Sequence, residues 1–260
     1  MYVGKNVDRV DAYDKVTGRA KYTEDMVSPN AYVAKILHST IAHGKVISID
    51  TSEAEKLEGV VKVITCFDVP EWCFPTAGHP WSMDEAHQDK ADRRLLNTHV
   101  RYYGDDVAVV IAQDEVICNQ ALALIKVEYE EYEAVFDPFE SMKGTEVLIH
   151  EDSPNNILAH TTNYRGDYKE AIKEEGLTKV EGWYETPMVQ HAHIENGIVY
   201  SYEEAGKIVV VASTQLPHIV RRVCGQALGL PWGKIRVIKP YIGGGFGNKQ
   251  DALYEPLGAY

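Results

Sequence analysis

The chain has 260 residues, of which 45% are hydrophobic and 25% are charged, a balance typical of a globular protein with an ample core. Acidic residues outnumber basic ones, 39 to 26, and the formal net charge is -13. This charge and the absence of a basic patch in the sequence disfavour nucleic acid and anionic membranes as partners.

No signal peptide is recognised near the first residues, and no apolar run approaches the roughly 18 residues of a membrane span. The cysteines show neither CxxC spacing nor a pairing framework, and are Cys66, Cys73, Cys118 and Cys224. Free thiols in a reducing compartment are therefore expected, and the predicted location is cytoplasmic.

The first half of the sequence alternates strand and helix patterns. β-branched apolar runs predict strands, and a capping residue before apolar residues at helical spacing predicts a helix. In chain order the expected elements are strands 31–38 and 45–50, a helix opened by a capping box of Ser52 and Glu55, strands 60–65 and 106–112, helix 114–125 and strand 126–131. This order suggests helices layered on sheets.

Two segments of the first half are expected to be exposed. A loop rich in Pro, Trp and His is predicted from Val69 to about Arg94. Its aromatic and imidazole side chains would either pin the loop to the surface or cover a pocket, and they are Trp72, His79, Trp81 and His87. The acidic run 128–133 is typical of a solvated strand or sheet edge.

A boundary is predicted between Phe136 and Asp152, where turn residues interrupt the pattern. Beyond it the expected elements are strands 179–185, 197–202 and 207–213, a helix from Pro217 to Gly229, and strand 235–242. A last helix is expected from Asp251, and its apolar residues would need a partner beyond Tyr260.

The strongest local signal is the run Gly243–Gly247, GGGFG, which follows the last predicted strand. Glycines permit positive φ and close backbone approach, so amides can point at ligand oxygens, and a following helix would add a positive dipole. The run lacks the ending of a P-loop and differs from GxGxxG. A purely structural turn and an anion or cofactor contact both stay open.

Other polar residues give weaker signals. Gln215 follows a predicted strand, where its amide is either a helix-start group or a donor to a ligand oxygen. His191, His193 and Glu195 would share one face of a strand, which suits either structural hydrogen bonding or a metal site. No nucleophile motif appears, so no catalytic residue is assigned.

Several segments, in order, resemble the xanthine dehydrogenase and aldehyde oxidase family. The segments are Arg9–Ala12, Asp14–Asp25, His38–His43, Gly59–Val61, Tyr103–Ala108, Gln190–Glu195, Ser213–Gln215 and Gly243–Gln250. The resemblance covers nearly the whole chain. Within the family, the sequences of these segments are most similar to those of bacterial xanthine dehydrogenase molybdenum subunits. The resemblance implies an α+β fold, with residues 1–135 as an α/β-hammerhead domain and residues 145–260 as the first, truncated part of a molybdopterin-binding domain.

The resemblance also implies residue roles. Gln215 would hydrogen-bond an oxygen ligand of molybdenum, and the amide of Phe246 would contact the same ligand without binding the metal directly. The cofactor-binding set would be Gln215, Gly244, Gly245, Phe246 and Gly247. Gln250 stands where animal xanthine oxidases have a substrate-orienting glutamate, so it would bind a purine without acting as an acid or base.

The family's activity is hydroxylation of the substrate with water, and electrons pass through 2Fe-2S clusters and FAD to NAD. The resemblance to xanthine dehydrogenases implies a purine substrate, hypoxanthine or xanthine. The general base belongs to a later part of such subunits, so this chain is expected to be incomplete alone and to need the remaining molybdopterin-binding polypeptide with FAD and iron–sulfur subunits.

The alternative functions are a non-catalytic remnant or assembly module, a hydroxylase of aldehydes or other N-heterocycles, and a self-contained metal enzyme using His191 and His193.

Overall fold

The computed structural model describes residues 3–76, 89–144, 146–158, 160, 162–163 and 165–260. Short 3-10 turns lie at Glu24–Met26, Pro154–Asn156 and Trp232–Lys234. The helices and strands are, in chain order, α1 (Ala12–Val16), β1 (Val33–His38), β2 (Gly44–Asp50), α2 (Ser52–Glu55), β3 (Val60–Thr65), β4 (His99–Val100), β5 (Asp106–Ala112), α3 (Glu115–Leu124), β6 (Lys126–Glu131), α4 (Pro138–Met142), α5 (Tyr168–Ala171), β7 (Val199–Glu204), β8 (Lys207–Ala212), α6 (Pro217–Leu228), β9 (Ile235–Ile238) and α7 (Glu255–Ala259).

The first half is built on two antiparallel sheets. One has the order β1-β5-β3, and the other has the order β4-β2-β6. β5 is central because its run DVAVVIA is apolar along almost its whole length and is buried nearly throughout. Helix α3 packs on the first sheet, and its N-cap Asp114 accepts a hydrogen bond of 2.8 Å from the Ile117 amide.

The second half holds the third sheet, in the order β7-β8-β9. β7 and β8 form an antiparallel hairpin through Ala205 and Gly206, whose φ values are 51° and 68°. β8 and β9 are parallel, and α6 connects them as a crossover helix. Pro217 lies in the first turn of α6, and Gly229 ends the helix in the left-handed conformation.

One hydrophobic core joins the two halves. Buried side chains of the first half belong to the same cluster as buried side chains of the third sheet, α6 and the final segment, among them Val46, Leu96, Val100, Val107, Val210, Val220, Val223 and Ala252. Polar contacts reinforce this junction. The indole Nε1 of Trp72 donates to the carbonyls of Gln226 and Ala227 at 3.2 and 3.1 Å, so the beginning of the predicted loop, at Trp72, is fixed to the end of α6.

Most of the predicted helices and strands are confirmed by the structure, and some predictions are wrong. The prediction of a strand at residues 179–185 is wrong. This segment pairs with no strand among the described residues, and Val180, Trp183 and Tyr184 are exposed. A segment rich in β-branched and aromatic residues forms a strand only where a neighbouring strand offers hydrogen bonds. The last strand ends at Ile238, because Pro240 has no amide to donate to a sheet.

Two helix starts also differ from the prediction. The contact at the start of α2 is between Thr51 Oγ1 and Glu55 Oε1, at 3.0 Å, one residue before the predicted Ser52. The last helix begins at Glu255, and no helix directly follows the glycine run, so the expected dipole of a following helix is absent from the turn. The short α7 packs on α6, β7 and β8.

The cysteines are free, and three of the four are buried. Burial raises the pKa of the Cys66 thiol to about 11 and also raises that of Cys224, so neither is a ready nucleophile. His79, Trp81 and His87 of the predicted loop lie outside the described residues. No helix in the described part of the chain has the length and apolar character needed to cross a bilayer.

Candidate functional site

The two strongest sequence signals meet at one edge of the third sheet. Ser213, Thr214 and Gln215 directly follow β8, and the glycine run Gly243–Gly247 follows β9. Because β8 and β9 are parallel neighbours, the segments after them leave the sheet on the same side. The carboxyl edge of parallel strands is where α/β sheets commonly bind ligands.

Gln215 is in direct contact with the glycine run. Its side-chain Oε1 accepts a hydrogen bond of 3.1 Å from the amide of Gly247, and its own backbone amide donates to the Lys249 carbonyl at 2.7 Å. A Cβ atom on Gly245 would lie 2.6 Å from Oε1 of Gln215. The approach therefore requires glycine at position 245.

The turn has a backbone shape that suits glycine. Gly244 and Gly247 have φ values of 108° and 94°, in the region that side chains rarely adopt. Phe246 adopts a φ of 50°, and its ring is 72% exposed. A bulky residue with positive φ is unusual and carries strain, which is typical of functional turns.

Several hydrogen-bond donors at the turn have no acceptor among the described residues. The backbone amides of Gly244, Gly245 and Phe246 donate to no other described residue. The Nε2 group of Gln215 likewise has no acceptor in the described part of the chain, since Gln215 uses only its oxygen on Gly247. The turn and Gln215 together form a group of donors that an oxygen-rich or anionic ligand could use.

A buried ion pair lies beneath the turn. Lys249 Nζ lies 3.1 Å from the Glu195 Oε2 atom, and the same carboxylate oxygen accepts from the Gly243 amide at 2.8 Å and from the Ser213 hydroxyl. Burial alone would raise the pKa of the Glu195 carboxyl. The hydrogen bonds from Gly243, Ser213 and Lys249 outweigh burial, and this pKa lies below its ordinary value.

His191 and His193 do not share one face of a strand, which is the arrangement that the metal-site alternative requires. Residues 191–195 form no strand, and Ala192 has a φ of 50°, which breaks the alternation that would align the imidazoles. His191 is exposed, whereas the Nε2 atom of His193 lies 3.1 Å from the Asn248 side-chain amide. Within the described ranges no group of three or more His, Cys, Asp or Glu side chains could hold a metal ion.

Gln250 lies beside the turn but is not buried in it. Its backbone amide donates to the Gly247 carbonyl at 3.2 Å, and its side chain is exposed. Sequence reasoning missed Ser213 and Lys249 as members of the site. A lysine two residues after a glycine run is typical of an exposed cation, and only the fold shows that Lys249 has a buried carboxylate partner.

Models of two protein families match most of the chain. The model for the aldehyde oxidase and xanthine dehydrogenase a/b hammerhead domain matches residues 17–133, and the model for the molybdopterin cofactor-binding domain matches residues 149–260. These matches confirm the predicted resemblance and the α+β fold with a hammerhead domain.

Curated relatives agree with these matches. The chain is 45% identical over 253 residues to the xanthine dehydrogenase molybdenum-binding subunit of Escherichia coli O157:H7, covering 97% of this chain and 33% of that subunit. It is 34% identical to the nicotinate dehydrogenase large molybdopterin subunit of Eubacterium barkeri, covering 96% of this chain and 56% of that subunit. The chain therefore spans about a third to a half of the length of these two relatives.

A solved structure supports the fold. The crystal structure of the aldehyde oxidoreductase from Desulfovibrio desulfuricans superposes with a TM-score of 0.84 at 26% sequence identity. The superposition covers 98% of this chain and 29% of that enzyme. The similarity therefore extends over both halves of the chain.

Proposed function

The chain belongs to the xanthine dehydrogenase and aldehyde oxidase family of molybdopterin-binding proteins, and on this basis we propose that it supplies one wall of the cofactor pocket of a molybdenum hydroxylase. The wall comprises Gln215 and the turn formed by Gly244, Gly245, Phe246 and Gly247. The other wall would come from molybdopterin-binding polypeptide outside these residues.

The observation that supports this proposal is the set of unused donors. The amides of Gly244, Gly245 and Phe246 and the side-chain amide of Gln215 lie together, and none donates to another described residue. Neutral N–H donors suit the oxygen ligands of molybdenum and the polar edge of a pterin. Protein ligands to the metal are not needed, because the dithiolene of the pterin holds it. The residues present therefore fit the group.

When bound, the cofactor would supply the redox centre that accepts two electrons from the substrate. The protein's own contribution at this wall is orientation. Gln215 and the Phe246 amide would donate hydrogen bonds to the oxygen side of the metal without binding it directly, and the glycines would let the backbone approach closely. Preformed donors lose little free energy through reorganisation, which favours catalysis.

We propose that the complete enzyme hydroxylates a purine, hypoxanthine or xanthine, and that Gln250 helps to bind it. The support is the similarity to a xanthine dehydrogenase subunit. Relatives with other names, such as the nicotinate dehydrogenase subunit, make other N-heterocycles and aldehydes the alternatives. Gln250 can hydrogen-bond a heterocycle through both its oxygen and its NH₂ group.

The proposed assembly includes FAD and 2Fe-2S partner subunits or domains that carry electrons to NAD. We further propose that the chain divides into the hammerhead unit, residues 1–135, and the beginning of the molybdopterin-binding unit, residues 145–260. The matched ranges 17–133 and 149–260 support this division. The free thiols suit a cytoplasmic location.

Metal analysis of an assembled complex tests the proposal. The tagged chain would be produced with a polypeptide equivalent to the remaining part of its relatives, in a host that makes the cofactor. We expect molybdenum and pterin to copurify in about equal amounts with the chain. Gln215→Glu should lower their content by roughly 5- to 100-fold, because a donor is replaced by a charged acceptor.

The matched control is Gln226→Glu, on the exposed face of α6, which should leave the molybdenum content unchanged. A stable complex that contains no molybdenum, or a Gln215→Glu complex that is as fully loaded as the unchanged chain, would overturn the proposal.

A further inference from the structure

The ion pair beneath the glycine turn is almost completely buried. The side chains of Lys249 and Glu195 are 4% and 14% exposed. Besides the carboxylate, Lys249 Nζ donates to the Ser213 hydroxyl at 2.7 Å and to the Glu195 backbone carbonyl at 2.7 Å. The ammonium group therefore has three oxygen partners, which matches its donor capacity.

The pair connects three separate segments of the chain. Glu195 belongs to the loop before β7, Ser213 follows β8, and Lys249 follows the glycine turn. The carboxylate also binds the amide of Gly243, at the other end of the turn. Both ends of the turn are thus fixed to one carboxylate.

Lys249 is also linked directly to Gln215. The Lys249 carbonyl accepts from the Gln215 amide at 2.7 Å and lies 3.3 Å from the Thr214 hydroxyl, which donates to it. A shift of Lys249 would therefore displace both the turn and the glutamine that faces it. The contact between Gln215 Oε1 and the Gly247 amide depends on both segments staying in place.

Stability alone is a weak reason for such a pair. A buried ion pair typically contributes little net stability, because desolvation offsets the attraction between the charges. An apolar pair would fill the same volume but could not bind the Gly243 amide and the Ser213 hydroxyl. The geometry is that of a support for polar groups that must stay in fixed positions.

We propose that Glu195 and Lys249 are positioning residues, which hold the donors of Gly244, Gly245, Phe246 and Gln215 at the spacing the ligand requires. This inference rests on the proposed function. Neither residue contacts the ligand, and each acts through the turn and Gln215.

The test measures the hydrogen-exchange rate of the glycine turn separately from that of the folded sheet. Hydrogen–deuterium exchange of the 260-residue chain, without cofactor, would compare the two hydrogen-bonded turn amides, those of Gly243 and Gly247, with the amides of β8. In Lys249→Met we expect turn exchange at least about ten times faster, with β8 unchanged, because only the local support is lost. Lys249→Arg retains the charge and should restore part of the protection.

The double variant Glu195→Gln/Lys249→Met provides a second test if the single variant does not fold. It removes both charges, so no buried charge is left unpaired, and we expect a folded protein whose turn still exchanges quickly. The control is Glu204→Gln/Arg236→Met, which removes an exposed ion pair of 2.9 Å on the same sheet. The control should change neither turn exchange nor β8 exchange.

The assembled complex gives an independent measurement. The double variant should retain about one tenth of the molybdenum per folded chain during gel filtration. A folded double variant with normal turn exchange and normal molybdenum content would overturn the inference. If the unchanged complex lacks molybdenum but the turn exchanges faster in the variants, the proposed function fails while the support of the turn by this pair stands.

Discussion

The side-chain amide of Gln215 has two ends with different surroundings. Its oxygen accepts from Gly247 and its nitrogen donates to no described residue. The family resemblance of the motif Ser213–Gln215 and of the glycine run implied that these residues act together, whereas the residue types alone left each signal open. The support by Glu195 and Lys249 was not predictable, because their contact joins positions 54 residues apart and depends on the third sheet.

Gly245→Ala tests this contact at the residue scale. The new Cβ would lie 2.6 Å from Oε1 and 2.7 Å from Cδ of Gln215, so Gln215 should be displaced. We expect a complex with about one tenth of the normal molybdenum content, because a misplaced donor loses its hydrogen bond. Molybdenum analysis of the purified complex provides the measurement.

Gly206→Ala, in the hairpin between β7 and β8 and outside the proposed wall, is the comparison for this prediction. No atom lies within 4 Å of its added Cβ, but the φ of 68° disfavours alanine. Its effect should be a loss of roughly 1–2 kcal/mol in the free energy of unfolding, from backbone strain alone. If Gly245→Ala leaves molybdenum unchanged, close contact between Gln215 and the turn is not important for binding.

At the level of elements, local sequence patterns predicted strands correctly where the partner strand lies in the described chain. Strands 60–65, 106–112 and 126–131 have the predicted bounds, and each pairs with a neighbouring strand of the described chain. Residues 179–185 also contain β-branched and aromatic residues, and they form no strand. Periodicity reports which faces are apolar, whereas pairing depends on another part of the fold.

The second sheet holds two histidines in contact. The Nε2 atoms of His43 and His99 lie 3.3 Å apart, with Tyr132 edge-on to both rings. The pKa of His99 is lowered, first by burial and then by the charges of Arg101, His43 and His150, while Glu151 opposes the shift. The neutral imidazole is therefore the form that fits the folded sheet.

This pKa shift predicts a pH dependence of stability. A base whose pKa is lower in the folded state binds more protons when unfolded, so stability falls as the pH drops below the ordinary histidine value of 6.5. Denaturant unfolding at about pH 7.5 and about pH 5.5 should show a smaller loss for His99→Gln than for the unchanged chain. His150, whose pKa burial also lowers, remains in the variant, so its pH dependence should shrink without vanishing. An unchanged pH dependence would contradict this assignment.

At the scale of the whole molecule, the two halves share a core. Leu96 is fully buried and belongs to the cluster that includes Val210, Val220 and Val223 of the second half. Composition and patterns predicted two units with a boundary near residues 136–152. They could not predict that one core would join the units, because core contacts between distant segments leave no periodic signal.

Leu96→Ala tests this junction. Removing a buried leucine typically costs about 2–5 kcal/mol, and we expect both halves to be destabilised together in one transition. Hydrogen exchange of β5 and of β8, followed through denaturant, reports on each half separately. Exchange that rises in β5 alone would show that the halves are energetically independent, in contradiction to a shared core.

The central claim is that Gln215 and the glycine turn form one wall of a molybdopterin pocket. The most direct measurement is hydrogen–deuterium exchange of residues 243–247 in the assembled complex, with and without the molybdenum cofactor. We predict at least about ten-fold slower exchange at the amides of Gly244, Gly245 and Phe246 when the cofactor is bound, and no change at the exposed hairpin turn of Gly206. A complex that holds its molybdenum while these three amides exchange at the same rate would contradict the claim.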